Sequence, residues 1–266
     1  MKKYLILFLS LIFITSTANA KAIDVQEENG IYHITLSGNR IKKRIQFVST
    51  EGLKTNKEIH DKYKSKLTIN AGFFDPKNEK TISYIVTNGY TVEDPYTNDA
   101  LLTNPVLRAN MSKILNRSEF RITECDRKIN YSIVPHNTPV DFMCNVITSA
   151  QGGPQLLPDL KLEEEFFIVK DNEGNIIRQS ASVLDRTART IIGIKDNDVH
   201  ILIITNKNPK NIIEARNLCL SLGLEYAMAF DGGSSTSLDY KKIHVLSKQK
   251  FGEDTGRRLK SFMVVK

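Results

Sequence analysis

The sequence has no tryptophan, only three cysteines, and no long apolar run after its first twenty residues. Because a membrane-spanning helix needs about eighteen or more apolar residues in a row, we expect no stable membrane span in the mature protein. The cysteines form no CxxC motif and the five histidines no HxxxH motif, which argues against a zinc site. The Walker and GxGxxG motifs are absent too, so nucleotide-driven chemistry is not expected.

The basic residues are scattered, although the formal charge is +7 at pH 7. They cluster only in residues 40–44 and 248–260, and neither group interleaves aromatic residues in a base-stacking pattern. We interpret both groups as solvated surface, with an anionic glycan or phosphate as the alternative ligand, and expect no nucleic-acid partner.

Residues 1–20 have the features of a cleavable export signal. Lys2 and Lys3 precede an apolar run over residues 5–14, and an A-x-A pattern ends at Ala20. The residue directly after this cleavage site is Lys21 and not a cysteine, which argues against a lipid anchor. We therefore expect a protein that is cleaved near Ala20 and is periplasmic or secreted.

Export places the cysteines in an oxidising compartment, where disulfides form. Cys125 and Cys144 flank a loop-like stretch that contains two prolines, and we expect them to pair. Cys219 falls inside a helical apolar pattern, so we expect it to be buried and inert.

Short apolar segments separated by turns predict an α+β fold, a strand-rich single domain with a mixed or antiparallel sheet and few helices. Residues 21–66 are expected to add N-terminal strands to the domain formed by residues 67–266. Asn88-Gly89 between two β-rich runs predicts a tight hairpin, and a second hairpin is predicted over residues 166–177.

Two helices are predicted. A short one covers residues 58–64. A long one starts at Asn208-Pro209, has apolar residues at helical spacing, and ends at Gly223.

Three segments place glycines and polar residues directly after apolar strands: residues 70–75, 151–154 and 231–235. Such strand-end loops often carry functional sites, because the sheet holds them while the loop exposes its backbone. Glycines admit a close ligand, and successive N–H groups can bind an anion. Taken singly, each segment is more often only a turn.

Asp231 and Arg189 are the strongest individual candidates. Asp231 follows an apolar strand, where partial burial can raise its pKa toward general-acid use, or it could simply hydrogen-bond its own Gly-Gly turn. Arg189 opens another apolar strand and could bind phosphate or form a structural salt bridge to Asp231 or Asp185. The Ser234-Ser235 pair lacks the GxSxG context of a serine nucleophile.

In order along the chain, these segments resemble the phosphodiester glycosidase family. The matching segments are residues 70–75, 152–156, 189–193, 220–223, 230–236 and 257–262. The resemblance covers the chain from about Leu67 to its C terminus. Ser234 stands where many members have a third glycine, and Ala188 where many have proline.

The resemblance implies hydrolysis of a sugar 1-phosphodiester at its glycosidic C–O bond. It also implies that Asn70, Gly72, Arg189, Asp231 and Gly232 line the site. We expect catalysis from Asp231, Arg189 and Asp75, and substrate binding by Asn70, Gly72, Gln151, Gly153, Thr190, Gly232, Gly233 and Ser234. Asp75 is the candidate second carboxylate.

The predicted partner is a phosphorylated glycan or a small sugar phosphodiester, handled in cell-envelope or extracellular glycan metabolism. Asp231, Asp75 and Asn70 could contribute oxygen ligands for calcium or magnesium, although no spacing requires a metal. The alternatives are a non-catalytic binder of phosphorylated glycans and a phosphodiesterase that cuts the P–O bond.

Overall fold

The computed structural model describes residues 21–180, 182–247 and 256–266. The predicted signal peptide lies outside these ranges, as does most of the basic segment at residues 248–260. None of the helices in the described ranges is both long enough and apolar enough to cross a membrane.

The described part of the chain is rich in strands. In chain order they are β1 (Ile23–Glu28), β2 (Ile31–Leu36), β3 (Ile45–Lys54), β4 (Leu67–Asn70), β5 (Ile85–Thr87), β6 (Tyr90–Glu93), β7 (Ser118–Cys125), β8 (Lys128–Pro135), β9 (Cys144–Gln151), β10 (Gln155–Leu157), β11 (Ile168–Lys170), β12 (Ile176–Gln179), β13 (Arg189–Lys195), β14 (Asp198–Ile204), β15 (Tyr226–Ala229), β16 (Ser237–Tyr240), β17 (Ile243–Leu246) and β18 (Leu259–Val265).

The helices are short by comparison. They are α1 (Gly38–Ile41), α2 (Asn56–Tyr63), α3 (Asp99–Thr103), α4 (Pro105–Ala109), α5 (Met111–Leu115) and α6 (Ile212–Ser221), with 3-10 turns at Lys42–Arg44, Pro95–Thr97 and Gly233–Ser235.

Three antiparallel sheets and one separate hairpin make up the strand layers. The first sheet has the order β1-β2-β14-β13-β15-β10, the second β17-β16-β4-β18-β3, and the third β6-β5-β9-β7-β8. Strands β11 and β12 form the separate hairpin. This architecture confirms the predicted strand-rich α+β fold.

The main core lies where the three sheets meet. It includes Ile192 of the first sheet, Phe47 and Met263 of the second, and Phe120 of the third, all fully buried. The ring of Phe47 packs edge-on against Phe120 at 6.0 Å. Strand β2 hydrogen-bonds to β14 along its whole length and to β1 on its other side, so β1 and β2 belong to the first sheet.

Helix α6 covers the outer face of the first sheet. Within β13, Ile192 points to the main core, whereas Ile191 packs with Ile212 and Cys219 of α6. Side chains alternate across a strand, so burial on both faces explains why residues 191–194 of β13 form an unbroken apolar run. Cys219 is fully buried, as predicted.

The bounds of α6 differ from the prediction at one end. The side chain of Asn211 accepts a hydrogen bond from the N–H of Glu214 at 2.9 Å, and Glu214 reciprocates, which caps the helix there. The predicted start at Asn208-Pro209 is therefore wrong by three residues. The predicted end is confirmed, since Gly223 takes a positive φ of 70° after the last turn.

The predicted short helix and both predicted hairpins are present. Asn88 and Gly89 take positive φ angles of 51° and 81°, as a type I′ turn requires. The second hairpin joins β11 to β12.

The predicted disulfide between Cys125 and Cys144 is also present. The two cysteines sit opposite each other on the neighbouring strands β7 and β9. The bridge therefore ties two strands within the third sheet.

Strand β18 is an interior strand of the second sheet. It pairs with β3 on one side and with β4 on the other. All seven of its residues are buried.

Candidate active site

The three glycine-containing loops predicted from the sequence converge on one cavity of about 580 Å³. Phe73 and Phe74 follow β4, Gly153 lies between β9 and β10, and Asp231 follows β15. The antiparallel sheets bring these strand ends together from distant parts of the chain. Asp231 and Arg189, the two strongest sequence candidates, both line this cavity.

Asp231 is held at the cavity wall by its backbone. Its N–H donates to the carbonyl of Ala71 at 3.0 Å, and its own carbonyl accepts from the Asn70 amide at 2.6 Å. Burial raises the pKa of the Asp231 carboxyl to about 6, against the opposing effects of the Ser235 hydroxyl, the Arg257 cation and the Gly232 N–H. The carboxyl can therefore change its protonation state near neutral pH.

Asn70 joins three strands beneath the cavity rather than lining it. Its Oδ1 accepts from the Thr190 hydroxyl at 2.7 Å and from the Ser237 N–H at 3.1 Å, while its Nδ2 donates to the Asp231 carbonyl. Asn70 and Thr190 are almost completely buried. Both side chains thus hold the loop that carries Asp231.

Arg189 lines the cavity, but most of its hydrogen-bonding capacity is used inside the chain. Its Nε donates to the Lys210 carbonyl at 3.1 Å, and its Nη2 contacts the carbonyls of Ser182, Val183 and Asp185 at 2.9, 3.0 and 2.6 Å. Among the described residues, its partners are all carbonyl oxygens. Burial lowers its pKa to about 10, so the guanidinium stays charged at neutral pH. Arg189 fixes one cavity wall and leaves Nη1 for other contacts.

The loop after Asp231 offers fewer free N–H groups than its glycines suggest. The N–H of Gly233 donates to the Ala188 carbonyl at 2.8 Å, and that of Ser235 to the Gly232 carbonyl at 3.1 Å. Gly232, Gly233 and Ser234 still line the cavity. The Gly232 N–H acts on the Asp231 carboxyl, so an anion here would meet the hydroxyl and the N–H group of Ser234.

At two of the other predicted glycines, neighbouring atoms leave no room for a side chain. Gly153 has φ of 112°, and a Cβ there would lie 2.2 Å from Glu165 Oε2. A Cβ on Gly72 would lie 2.6 Å from the Ser83 Cβ. Gly153 lines the cavity, whereas Gly72 packs behind it.

Gln151 and Asp75 are not among the residues that line the cavity. Gln151 is buried and donates from Nε2 to the Leu115 carbonyl at 2.8 Å. Asp75 Oδ1 accepts from the N–H of Lys77 at 2.8 Å and shapes a turn. The role of Asp75 as a second carboxylate stays a prediction that this placement does not support.

Arg257 is an important part of the site. Its Nη1 donates to the hydroxyls of Ser234 and Ser235 at 3.0 and 3.1 Å, and its guanidinium lies 5.0 Å from the centre of the Phe74 ring. Arg257 begins one of the segments that resemble the family, but it is not among the site residues predicted from the sequence.

Arg117 and Arg178 also line the cavity, and neither was predicted. Arg117 follows α5 and Arg178 lies on β12, so no local motif marks either residue. Their placement depends on how the α3–α5 segment and the β11–β12 hairpin pack. Together with Arg189 and Arg257, they give the cavity four guanidinium groups in addition to the carboxyl of Asp231.

Such a cavity can bind an anion and can transfer a proton beside it. No group of three or more His, Cys, Asp or Glu side chains within the described ranges is arranged to hold a metal ion. The described side chains of the cavity therefore combine anion-binding groups with one titratable carboxyl.

The sequence model of a family described as phosphodiester glycosidase matches residues 63–266. No curated protein matches the chain.

Solved structures show the same fold at low sequence identity. The catalytic domain of zebrafish N-acetylglucosamine-1-phosphodiester alpha-N-acetylglucosaminidase, auto-inhibited by its pro-peptide, is 11% identical over 93% of this chain and 84% of that chain, with a TM-score of 0.66. A hypothetical protein from Synechocystis is 13% identical over 93% of this chain and 64% of that chain, with a TM-score of 0.59.

Proposed function

The chain belongs to the phosphodiester glycosidase family, and from this premise we propose that it is an exported hydrolase that cleaves the glycosidic C–O bond of a sugar 1-phosphodiester. The observation that carries the proposal is the composition of the cavity. Four arginines line the same cavity as one carboxyl whose pKa is raised to about 6.

The phosphodiester binds through charge and hydrogen bonds. Arg257 and the Ser234 hydroxyl lie beside Asp231 and supply a cation and a donor for the phosphate oxygens. As the C–O bond breaks, negative charge builds up on the departing phosphate oxygen. Cationic groups fixed in advance stabilise this charge without reorganisation.

Asp231 acts on the sugar side of the bond. A phosphate monoester is a fair leaving group, so its oxygen needs little protonation. In its ionised form, the Asp231 carboxylate accepts a proton from the attacking water and stabilises an oxocarbenium-like C1. The water oxygen becomes bonded to C1, and the bonding electron pair leaves with the phosphate.

Export of the protein is part of the same proposal. Residues 1–20 read as a cleavable leader. The Cys125–Cys144 disulfide supports an oxidising compartment, where such bridges persist. A substrate in the cell envelope or the extracellular glycan fits this location.

The purified protein should release a reducing sugar from a sugar 1-phosphodiester. Asp231→Asn should lower kcat by roughly 100-fold or more, because general acid–base catalysis contributes about 10²–10⁴-fold, and should leave the circular dichroism spectrum unchanged. Asp24→Asn, which changes an exposed carboxylate on β1, is the matched control and should keep wild-type turnover. Near-normal turnover in Asp231→Asn would remove Asp231 from the mechanism.

Hydrolysis in ¹⁸O-labelled water identifies the bond that breaks. We expect the label in the released sugar, because water attacks C1. Label in the phosphate would show P–O cleavage and would replace the proposed reaction with that of a phosphodiesterase. Tight binding without product release would instead indicate a glycan-binding protein.

A further inference from the structure

Arg117 is a buried cation in the cavity wall with no described carboxylate as an ion-pair partner. Its side chain is only 7% exposed, yet it lines the cavity. Its guanidinium lies 4.2 Å from the centre of the Phe167 ring and 5.7 Å from that of Phe73. Among the described residues, its hydrogen bond comes from Nε, which donates to the Glu165 backbone carbonyl at 2.9 Å. The two terminal nitrogens are left for a ligand.

The Glu165 carboxyl does not form an ion pair with Arg117. Its Oε1 accepts from the Ser118 hydroxyl at 2.6 Å and from the Gln155 N–H at 3.2 Å, which turns the carboxyl toward the backbone near Gly153. Burial raises the pKa of Glu165, which weakens it further as a counter-ion. Burial also lowers the pKa of Arg117 to about 10, so the guanidinium remains charged at neutral pH. A buried charge without a partner is costly.

Arg178 adds a second cation at the same end of the cavity. Its guanidinium lies 4.1 Å from the centre of the Phe166 ring, and its Nη1 donates to the Phe166 carbonyl at 3.1 Å. Arg117 lies over the ring of Phe167, the next residue along the chain, so both guanidinium groups pack on neighbouring residues of one loop. Two positive charges beside one cavity strongly favour the binding of an anion.

This pair is distinct from the cation that faces Asp231. Arg257 donates to the hydroxyls of Ser234 and Ser235 in the loop after Asp231, whereas Arg117 contacts Glu165 and Phe167 in the segment before β11. Phe74 lies under Arg257, and Phe73 and Phe167 lie beside Arg117. One cavity thus has two separate cationic positions.

We propose that Arg117 and Arg178 form a second anion subsite, so that the preferred leaving group carries another anionic group beyond the phosphate attached to the sugar. A sugar joined through a diphosphate has this chemistry, whereas a single phosphodiester of a neutral alcohol does not. The substrate assignment rests on the proposed function. The anion subsite itself does not, because binding can be measured without turnover.

The test is isothermal titration calorimetry with orthophosphate, pyrophosphate and tripolyphosphate. For the wild-type protein, we expect the affinity to rise at least tenfold from orthophosphate to one of the longer anions. Arg178→Gln should reduce this rise to less than about threefold, since one charged hydrogen-bonding partner is worth about tenfold. Arg40→Gln removes the same charge from an exposed position on α1 outside the cavity and should keep the full rise.

Three results would overturn the subsite: no rise in the wild-type protein, an unchanged rise in Arg178→Gln, or an equal loss in Arg40→Gln, which would indicate nonspecific attraction. The wild-type series needs no variant, so a misfolded Arg178→Gln cannot leave the proposal untested. Arg178→Lys, which keeps the charge but loses the planar fork, should retain part of the rise.

Turnover measurements separate this proposal from the proposed function. For sugars joined to the same alcohol through one or two phosphates, Arg178→Gln should raise KM selectively for the diphosphate compound. Equal effects on both compounds would refute the subsite while leaving C–O cleavage intact. Absence of C–O cleavage with a preserved calorimetric rise would refute the proposed function alone.

Discussion

Asp231 changes its protonation state just below neutral pH. The raised pKa of about 6 comes first from burial. Because the proposed mechanism uses the ionised carboxylate, kcat/KM should rise as the pH increases through 6 and level off above about 7. A pH–rate profile from pH 4.5 to 8 measures this directly. A rate that falls over the same interval would mean that Asp231 acts in its protonated form, as a general acid.

Asn70 shows how one amide can position the Asp231 loop without touching the cavity. Asn70→Ala would leave the Ser237 N–H and the Asp231 carbonyl without partners, at a cost of about 3 kcal/mol in the free energy of unfolding. Urea denaturation measures this loss, and kcat should fall with it because the Asp231 loop loses its support.

Asn39 provides the matched control, since it is exposed on α1. Asn39→Ala should change the free energy of unfolding by less than about 0.5 kcal/mol. Similar losses in the two variants would contradict the special role of Asn70.

At the scale of the elements, the disulfide links β7 to β9 across neighbouring positions. Replacing both cysteines with serine should lower the free energy of unfolding by about 3 kcal/mol, as the chain-entropy model gives for a loop of about twenty residues. Turnover at 25 °C should persist, because neither cysteine lines the cavity. Thermal denaturation with and without dithiothreitol measures the effect. Dithiothreitol should destabilise the wild type and leave the double variant unchanged.

A histidine pair joins β2 to β14 and makes the first sheet sensitive to acid. His33 Nε2 lies 2.9 Å from His200 Nδ1. Burial, followed by the charge of His33, lowers the pKa of His200 to about 4. Since the unfolded chain takes up this proton near pH 6.5, the stability due to neutral His200 is complete above that pH and is lost as the pH falls toward 4.

The loss for His200 should be on the order of 2 to 3 kcal/mol. Urea denaturation at pH 7.5 and pH 4.5 should therefore show a smaller acid-induced loss for His200→Gln than for the wild type. Equal losses in the two proteins would show that His200 does not control the acid response.

Element prediction succeeded where the local sequence determines the backbone and failed where distant contacts do. The Asn88-Gly89 pair strongly favours a type I′ turn, and Gly223 ends α6 by taking a positive φ. Strand β7 was missed because the charged residues Glu119 and Arg121 interrupt its apolar pattern. In the fold these two side chains are buried as an ion pair at 3.0 Å, which is a tertiary effect. The stretch between Cys125 and Cys144 was expected to be loop-like, but it contains β8.

For the whole molecule, the sequence correctly predicted the strand-rich α+β class and the meeting of the three loops around Asp231. It did not predict Arg117 or Arg178, since their approach depends on the packing of α5 and β12. It also overestimated the free backbone donors near Gly233, because hydrogen bonds across the fold consume them. Residue types were enough to single out Asp231 and Arg189 as candidates. Which cations line the cavity, and which N–H groups stay free, depends on the tertiary structure.

The place of β18 between β3 and β4 has a consequence for the order of events during synthesis. Its neighbours, β3 and β4, come from the first third of the chain. A polypeptide that emerges from the ribosome N-terminus first cannot complete this sheet until residue 265 has been made. Until then, the two early strands lack their shared partner, so the second sheet can form only after β18 has been synthesised.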